Sequence, residues 1–211
     1  MKTYKELMKY VEKYLPSYNG GKPNVLGWPI QCPNDKEFIS NHYLPNLWGK
    51  LLYVGCLGRG MDEENMKKTN ANMETVDIAV GKNPTHLCDF TYEFKNEYKY
   101  DHISLHGLWY GDRIGWDGKE QEQPKTKYEY SKIIIDSISK AHSILKVGGT
   151  LQIGPNTNMV IPIYDYLLES GLYNILWRRN REQGRMANCI FWGQKKSSEE
   201  FNFEVIDLWK K

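Results

Sequence analysis

The run Leu51-Leu52-Tyr53-Val54-Gly55-Cys56-Leu57-Gly58-Arg59-Gly60 constrains this chain more than any other stretch. An apolar segment of strand character breaks abruptly into Gly55, Gly58 and Gly60. Asp77 follows in a second apolar-flanked segment, Met73 to Val80. Glycine adopts positive φ without steric cost and lets backbone approach a ligand closely. A helix that starts at such a turn offers N–H groups to a carboxylate or phosphate. An acid on the next strand can accept hydrogen bonds from ribose hydroxyls. The same cluster also suits a tight structural turn that holds no ligand, so the rest of the chain has to decide.

The 211 residues fit one domain with a full core, and a 40% apolar, 13% aromatic composition suits a folded globule. A net charge of +2 excludes a large basic field, so nucleic acid is disfavoured as a partner. No apolar run approaches the roughly 20 residues of a membrane span, and the first residues read as a charged amphipathic segment, not a signal peptide. Cys32, Cys56, Cys88 and Cys189 show no paired spacing, so free thiols are expected, with no metal site. Together these features lead us to expect a reduced, cytoplasmic protein. Nothing in the sequence fixes its oligomeric state.

Periodicity gives the elements. Residues 3–15 and 35–43 read as amphipathic helices, and 62–68 as a short helix with acids first and lysines last. Strands are expected at Lys50–Gly55, Met73–Val80, His86–Phe90 and Tyr100–Leu105. A long helix is expected over Thr126–Leu145, stopped by Gly148-Gly149, with a strand at Thr150–Ile153. A helix over Ile161–Ser170 closes at Gly171, and Asn174–Arg179 and Ala187–Gln194 form two final strands. The tail from Phe201 to Trp209 suits either a strand or a helix. The alternation implies an α/β sheet, mostly parallel, with an antiparallel carboxyl-terminal hairpin. About six residues separate the second and third strands, whereas a helical crossover needs about a dozen or more, so that helix is trimmed to a loop.

The order of motifs resembles the class I, Rossmann-like S-adenosylmethionine-dependent methyltransferases. Val54-Gly55-Cys56-Leu57-Gly58-Arg59-Gly60 is similar to that family's first motif, Val76-Asp77-Ile78 to its second and Cys88-Asp89-Phe90 to its third. Tyr100-Asp101-His102-Ile103-Ser104-Leu105 resembles the fourth, and Lys146-Val147-Gly148-Gly149-Thr150-Leu151 the "L-K-P-G-G" turn. The resemblance covers about residues 48–195 and implies a seven-stranded sheet in a single methyltransferase-like domain, 1–211. Residues 1–47 would be a helical amino-terminal extension, 48–195 the Rossmann-like core and 196–211 a tail. Tyr53 stands where the family usually has an acid two residues before the first glycine.

The resemblance implies S-adenosylmethionine as cofactor. Gly55, Cys56, Gly58 and Gly60 would floor its methionine moiety. Asp77 would take the ribose hydroxyls, and Asp89 the adenine amino group. Ile78 and Phe90 would pack on the adenine ring, and Leu105 would also belong to the cofactor-binding set. Methyl transfer from a sulfonium needs chiefly alignment of the nucleophile and sometimes removal of a proton. His106 has an unperturbed pKa near neutrality and follows the fourth strand. Tyr110 and Asp112 follow in an aromatic and charged loop that also holds Trp109 and Trp116. His106, Tyr110 and Asp112 are therefore the candidate catalytic group. Other readings remain open: Asp77 or Asp89 as a cap, His106 as a structural histidine, and the loop as a packed flap. Arg178, Arg179, Arg181 and Arg185 suit a phosphate contact, an RNA contact or a solvated hairpin. The function implied is methylation of a small molecule or a sugar at oxygen or nitrogen. The alternatives are a non-catalytic methyltransferase-like binding or scaffold protein, or an NAD-dependent oxidoreductase sharing the glycine turn and Asp77.

Overall fold

A computed structural model describes residues 3, 5–6, 49–55, 72–78, 84–96, 98–105, 127–153, 161–178 and 191–204. Seven strands form one sheet: β1 (Leu51–Val54), β2 (Met73–Asp77), β3 (His86–Leu87), β4 (Tyr100–Leu105), β5 (Leu145–Ile153), β6 (Tyr173–Arg178) and β7 (Phe191–Lys195). Their order is β3-β2-β1-β4-β5-β7-β6. The first five strands pair in parallel, and β7 runs antiparallel to both β5 and β6. The fold is Rossmann-like α/β, with the antiparallel hairpin at the carboxyl-terminal end.

Among the described residues two helices pack with the sheet, α1 (Lys127–Ile144) and α2 (Ile161–Glu169). Ile134, Ile138 and Ala141 recur at helical spacing and place one face of α1 in the core. Ile163 and Leu167 do the same for α2. They join Leu52, Val54, Ile103, Leu105, Leu151 and Ile153, alternate residues of β1, β4 and β5, in one apolar cluster. The intervening residues are buried too, and they are more polar. His102 Nδ1 shares a hydrogen bond with Thr150 Oγ1 at 2.7 Å, and Ser104 Oγ donates to Gln152 Oε1 at 3.2 Å.

The join between α1 and β5 departs from expectation. The glycine pair was expected to stop the helix, but β5 begins at Leu145, directly after α1. The carbonyls at the helix end are taken by a buried lysine from β7. Lys195 Nζ donates to His142 O at 2.7 Å and to Leu145 O at 3.3 Å. Gly148 (φ 79°) and Gly149 instead lie inside β5, where the ladder shifts register against β4 between Tyr100 and His102. A Cβ on Gly149 would sit 2.6 Å from the Asp101 carbonyl oxygen, so the irregularity requires glycine there.

Three further differences are local. β3 ends at Leu87, short of Phe90, because Asp89 opens a turn. Residues 78–85 join β2 to the parallel β3, a connection shorter than a helical crossover uses. There Thr75 N–H donates to Thr85 Oγ1 at 3.1 Å and Thr85 N–H to Thr75 Oγ1 at 2.9 Å, extending the pairing by side chains. In the tail, residues 201–204 are neither strand nor helix, and Phe201 and Phe203 pack on Tyr166 of α2 at centroid distances of 5.2 Å and 5.1 Å. At the other end of the chain, Thr3 N–H donates to Glu6 Oε2 at 2.7 Å and Glu6 N–H to Thr3 Oγ1 at 3.3 Å. This reciprocal cap begins the helix expected from residue 3. The remainder of that helix, and those expected at 35–43 and 62–68, lie outside the described residues.

Candidate cofactor site

β1 to β4 are parallel, so their carboxyl ends meet at one edge of the sheet. Open α/β sheets bind ligands at that edge. Gly55 follows β1 there with φ of 73°, and its N–H donates to Val76 O at 2.9 Å. An L-residue in this conformation is strained, so the backbone itself demands the glycine. Asp77 ends β2 half-buried, one residue beyond the Val54–Val76 pair, which seats it beside Gly55. Ile78 follows it, also half-buried. On the far side of β1, Leu105 pairs with Val54 and is fully buried, closing the edge over β4.

Asp89 stands next along the same edge, beyond β3. Its Oδ1 accepts from Thr91 N–H at 2.6 Å and Tyr92 N–H at 3.1 Å. Asp89 N–H donates to Glu93 Oε2 at 2.9 Å, and Asp89 O accepts from both Glu93 N–H and Phe94 N–H at 2.9 Å. Residues 89–94 are thus a single locked turn. Oδ2 takes no part in it. Phe90 is 4% exposed and packs on Phe94 with centroids 5.6 Å apart. Its ring therefore belongs to the core, and its backbone is what it can present to a ligand. Cys88 is a half-buried free thiol, as expected. Burial, with Glu93 nearby, raises its pKa.

Adjacent strands lie roughly 4.8 Å apart, so the edge from β3 to β4 runs about 14 Å. Along it stand, in order, the Asp89 turn, Asp77, Gly55 and Leu105. Two carboxylates and the Gly55 backbone give this edge hydrogen-bond acceptors and a surface that a polar ligand can approach closely. Tyr53, two residues before Gly55, is 0% exposed within β1. Cys56, Gly58, Gly60, His106, Tyr110 and Asp112 lie outside the described residues, as do Arg179, Arg181 and Arg185.

The opposite, amino edge carries ion pairs. Glu74 receives Lys50 Nζ at 2.6 Å, Tyr100 OH at 2.5 Å and His86 Nε2 at 3.2 Å. Burial alone would raise its carboxyl pKa, but these donors outweigh burial and lower it. Asp101 Oδ2 accepts Lys50 N–H at 2.8 Å and Lys146 Nζ at 2.9 Å. There too burial opposes and the donors prevail, lowering the pKa.

Sequence reading missed the residues that hold the Asp89 turn. Thr91 and Ser137 meet in the core, and Lys140 Nζ donates to Thr91 O at 3.1 Å. The available signal was Asp89 followed by Thr91, the spacing at which an aspartate side chain accepts from the backbone two residues on.

No protein-family profile matches this chain, and no curated protein matches it in sequence. It is similar to several solved structures. One is the N-methyltransferase NodS from Bradyrhizobium japonicum WM9, at 12% identity and a TM-score of 0.48, covering 80% of this chain and 98% of that one. Another is the 1,6-didemethyltoxoflavin-N1-methyltransferase of Burkholderia thailandensis, solved with S-adenosylhomocysteine, at 12% identity and a TM-score of 0.44, covering 93% and 92%. A third is a TehB-like SAM-dependent methyltransferase from Corynebacterium glutamicum ATCC 13032, at 13% identity and a TM-score of 0.46, covering 92% and 100%. The fold assignment rests on the strand order and directions of this chain itself. Among the described residues no helix is long and apolar enough to cross a membrane.

Proposed function

We propose that this chain is an S-adenosylmethionine-dependent methyltransferase that acts on a small molecule or a sugar, at oxygen or nitrogen. The observation that carries the reading is the carboxyl edge of β1 to β4. It brings a positive-φ Gly55, Asp77, the Asp89 turn and Leu105 into one row.

In this reading Asp77 holds the ribose hydroxyls and Asp89 Oδ2 the adenine amino group. The Gly55 backbone lies under the amino-acid tail, with Cys56, Gly58 and Gly60 continuing that floor. The bound cofactor supplies an electrophilic methyl group. The protein's share is to align the acceptor and, for a hydroxyl or an ammonium, to remove its proton. His106 is next in sequence after the last residue of β4 and is the proposed base. Tyr110 and Asp112 are proposed to orient the acceptor.

Thermal unfolding with ligand tests this. S-adenosylhomocysteine at about 100 times its dissociation constant stabilises by roughly 2.7 kcal/mol. For a domain of about 200 residues that raises Tm by roughly 5–11 °C. NAD is expected to leave Tm unchanged. One observation favours a second reading, a non-catalytic binding or scaffold protein: Tyr53 replaces the usual acid and is fully buried. Silence toward S-adenosylmethionine, S-adenosylhomocysteine and NAD alike selects that reading.

A further inference from the structure

The Asp89 turn is tied to α1 by a directed chain of hydroxyls. Thr91 Oγ1 and Ser137 Oγ are 2.6 Å apart and buried, and Ser137 Oγ also donates to Ile133 O at 2.7 Å. A hydroxyl has one proton. Ser137 spends it on Ile133, so Thr91 is the donor to Ser137. On the other side of the same peptide, Lys140 Nζ donates to Thr91 O at 3.1 Å and lies 5.5 Å from the Phe90 ring centroid. Thr91 is thus held at its side chain and its carbonyl by two residues one helical turn apart. Its N–H, meanwhile, is held by Asp89 Oδ1.

From this geometry we infer that Thr91 and Ser137, with Lys140, are positioning residues that fix the Asp89 carboxylate for a purine bearing an exocyclic amino group. The inference rests on the cofactor reading above. A carboxylate oxygen held in place accepts from the adenine amino group and repels the carbonyl oxygen that hypoxanthine presents instead. Loosening the turn lets the carboxylate move, and discrimination between the two bases falls. Overall stability need not change in proportion.

The test compares affinities for S-adenosylhomocysteine and S-inosylhomocysteine by calorimetry. The parent is expected to favour the adenine compound by about tenfold or more. Thr91→Val keeps the side-chain shape, leaves the Ser137–Ile133 bond intact and is expected to lower that ratio about three- to tenfold. Ser137→Ala should act in the same direction, whereas Thr91→Ser, which keeps the hydroxyl, should restore the parent ratio. Thr91→Val and Ser137→Ala variants that bind with the parent's ratio, even at a lower Tm, overturn the positioning role and leave the cofactor reading standing. A parent that binds neither compound overturns both.

Discussion

Two glycines with nearly the same backbone conformation separate strain from ligand contact. Gly55 has φ of 73° and Gly171 has φ of 74°. Gly171 follows α2, and a Cβ built there meets nothing within 4 Å. Gly171→Ala therefore adds backbone strain alone, about 1–2 kcal/mol for an L-residue in the left-handed region. At roughly 2–4 °C per kcal/mol for a domain of this size, Tm falls by about 2–8 °C. Gly55→Ala carries at least the same strain, because its N–H bond to Val76 O fixes the conformation. It also places a methyl group at the carboxyl edge, where the amino-acid tail is proposed to lie. We expect both variants to lose stability, and only Gly55→Ala to lose affinity for S-adenosylhomocysteine, by at least tenfold, or about 1.4 kcal/mol. Thermal unfolding and calorimetric titration of the two variants against the parent measure this. Equal ligand affinity in the two variants refutes the close backbone approach at Gly55. An unchanged Tm in Gly171→Ala refutes the strain argument.

Asp77→Ala is expected to weaken cofactor binding by about 1.5–3 kcal/mol, the range for hydrogen bonds to a charged group, and titration of the variant gives the value directly. Asp101→Ala, at the amino edge, should cost about 2 kcal/mol of stability, mostly from the lost Lys50 N–H bond, and leave cofactor affinity unchanged. Because the folded-state pKa of Asp101 is lowered, its contribution is complete above the ordinary carboxylate value and is lost as pH falls through the folded value. Urea unfolding at pH 7 and pH 3 should therefore show parent and Asp101→Ala converging in acid. His106→Ala should reduce turnover by about 10²–10⁴-fold with cofactor affinity nearly unchanged. Asp112→Ala should mainly raise the acceptor's Michaelis constant, and steady-state kinetics divides the two roles.

What was legible in the sequence followed from period and punctuation. β1 packs between neighbours on both sides, so its residues are all buried and read as an apolar run with a clear end, whereas β4, almost as buried, carries Asp101, His102 and Ser104 among its apolar residues. α1 showed itself through Ile134, Ile138, Ala141 and Leu145, and its predicted start at residue 126 lies one residue from the observed one. The glycine pair misled because a helix stop and a strand bulge use the same residue. At the end of α1 the His142 and Leu145 carbonyls are taken by Lys195 of β7, a partner that no local pattern contains. β3 was read too long because Cys88 and Phe90 are apolar, while the Asp89 cap overrides that tendency. Of the candidate site, Gly55 has a positive φ, and Asp77, Asp89 and Leu105 stand at the carboxyl edge; their contacts with a cofactor are proposed. Phe90 was assigned by its neighbour in the motif, and burial against Phe94 gives its ring to the core instead. The tie from Thr91 to Ser137 spans 46 positions and emerges only from the fold.

The central claim is that the row from Asp89 to Leu105 holds the S-adenosyl cofactor. Calorimetric titration of S-adenosylhomocysteine into the full chain tests it most directly. The account predicts saturable binding to one site per chain, with a dissociation constant below millimolar. No heat at millimolar ligand, from protein that unfolds cooperatively, contradicts it.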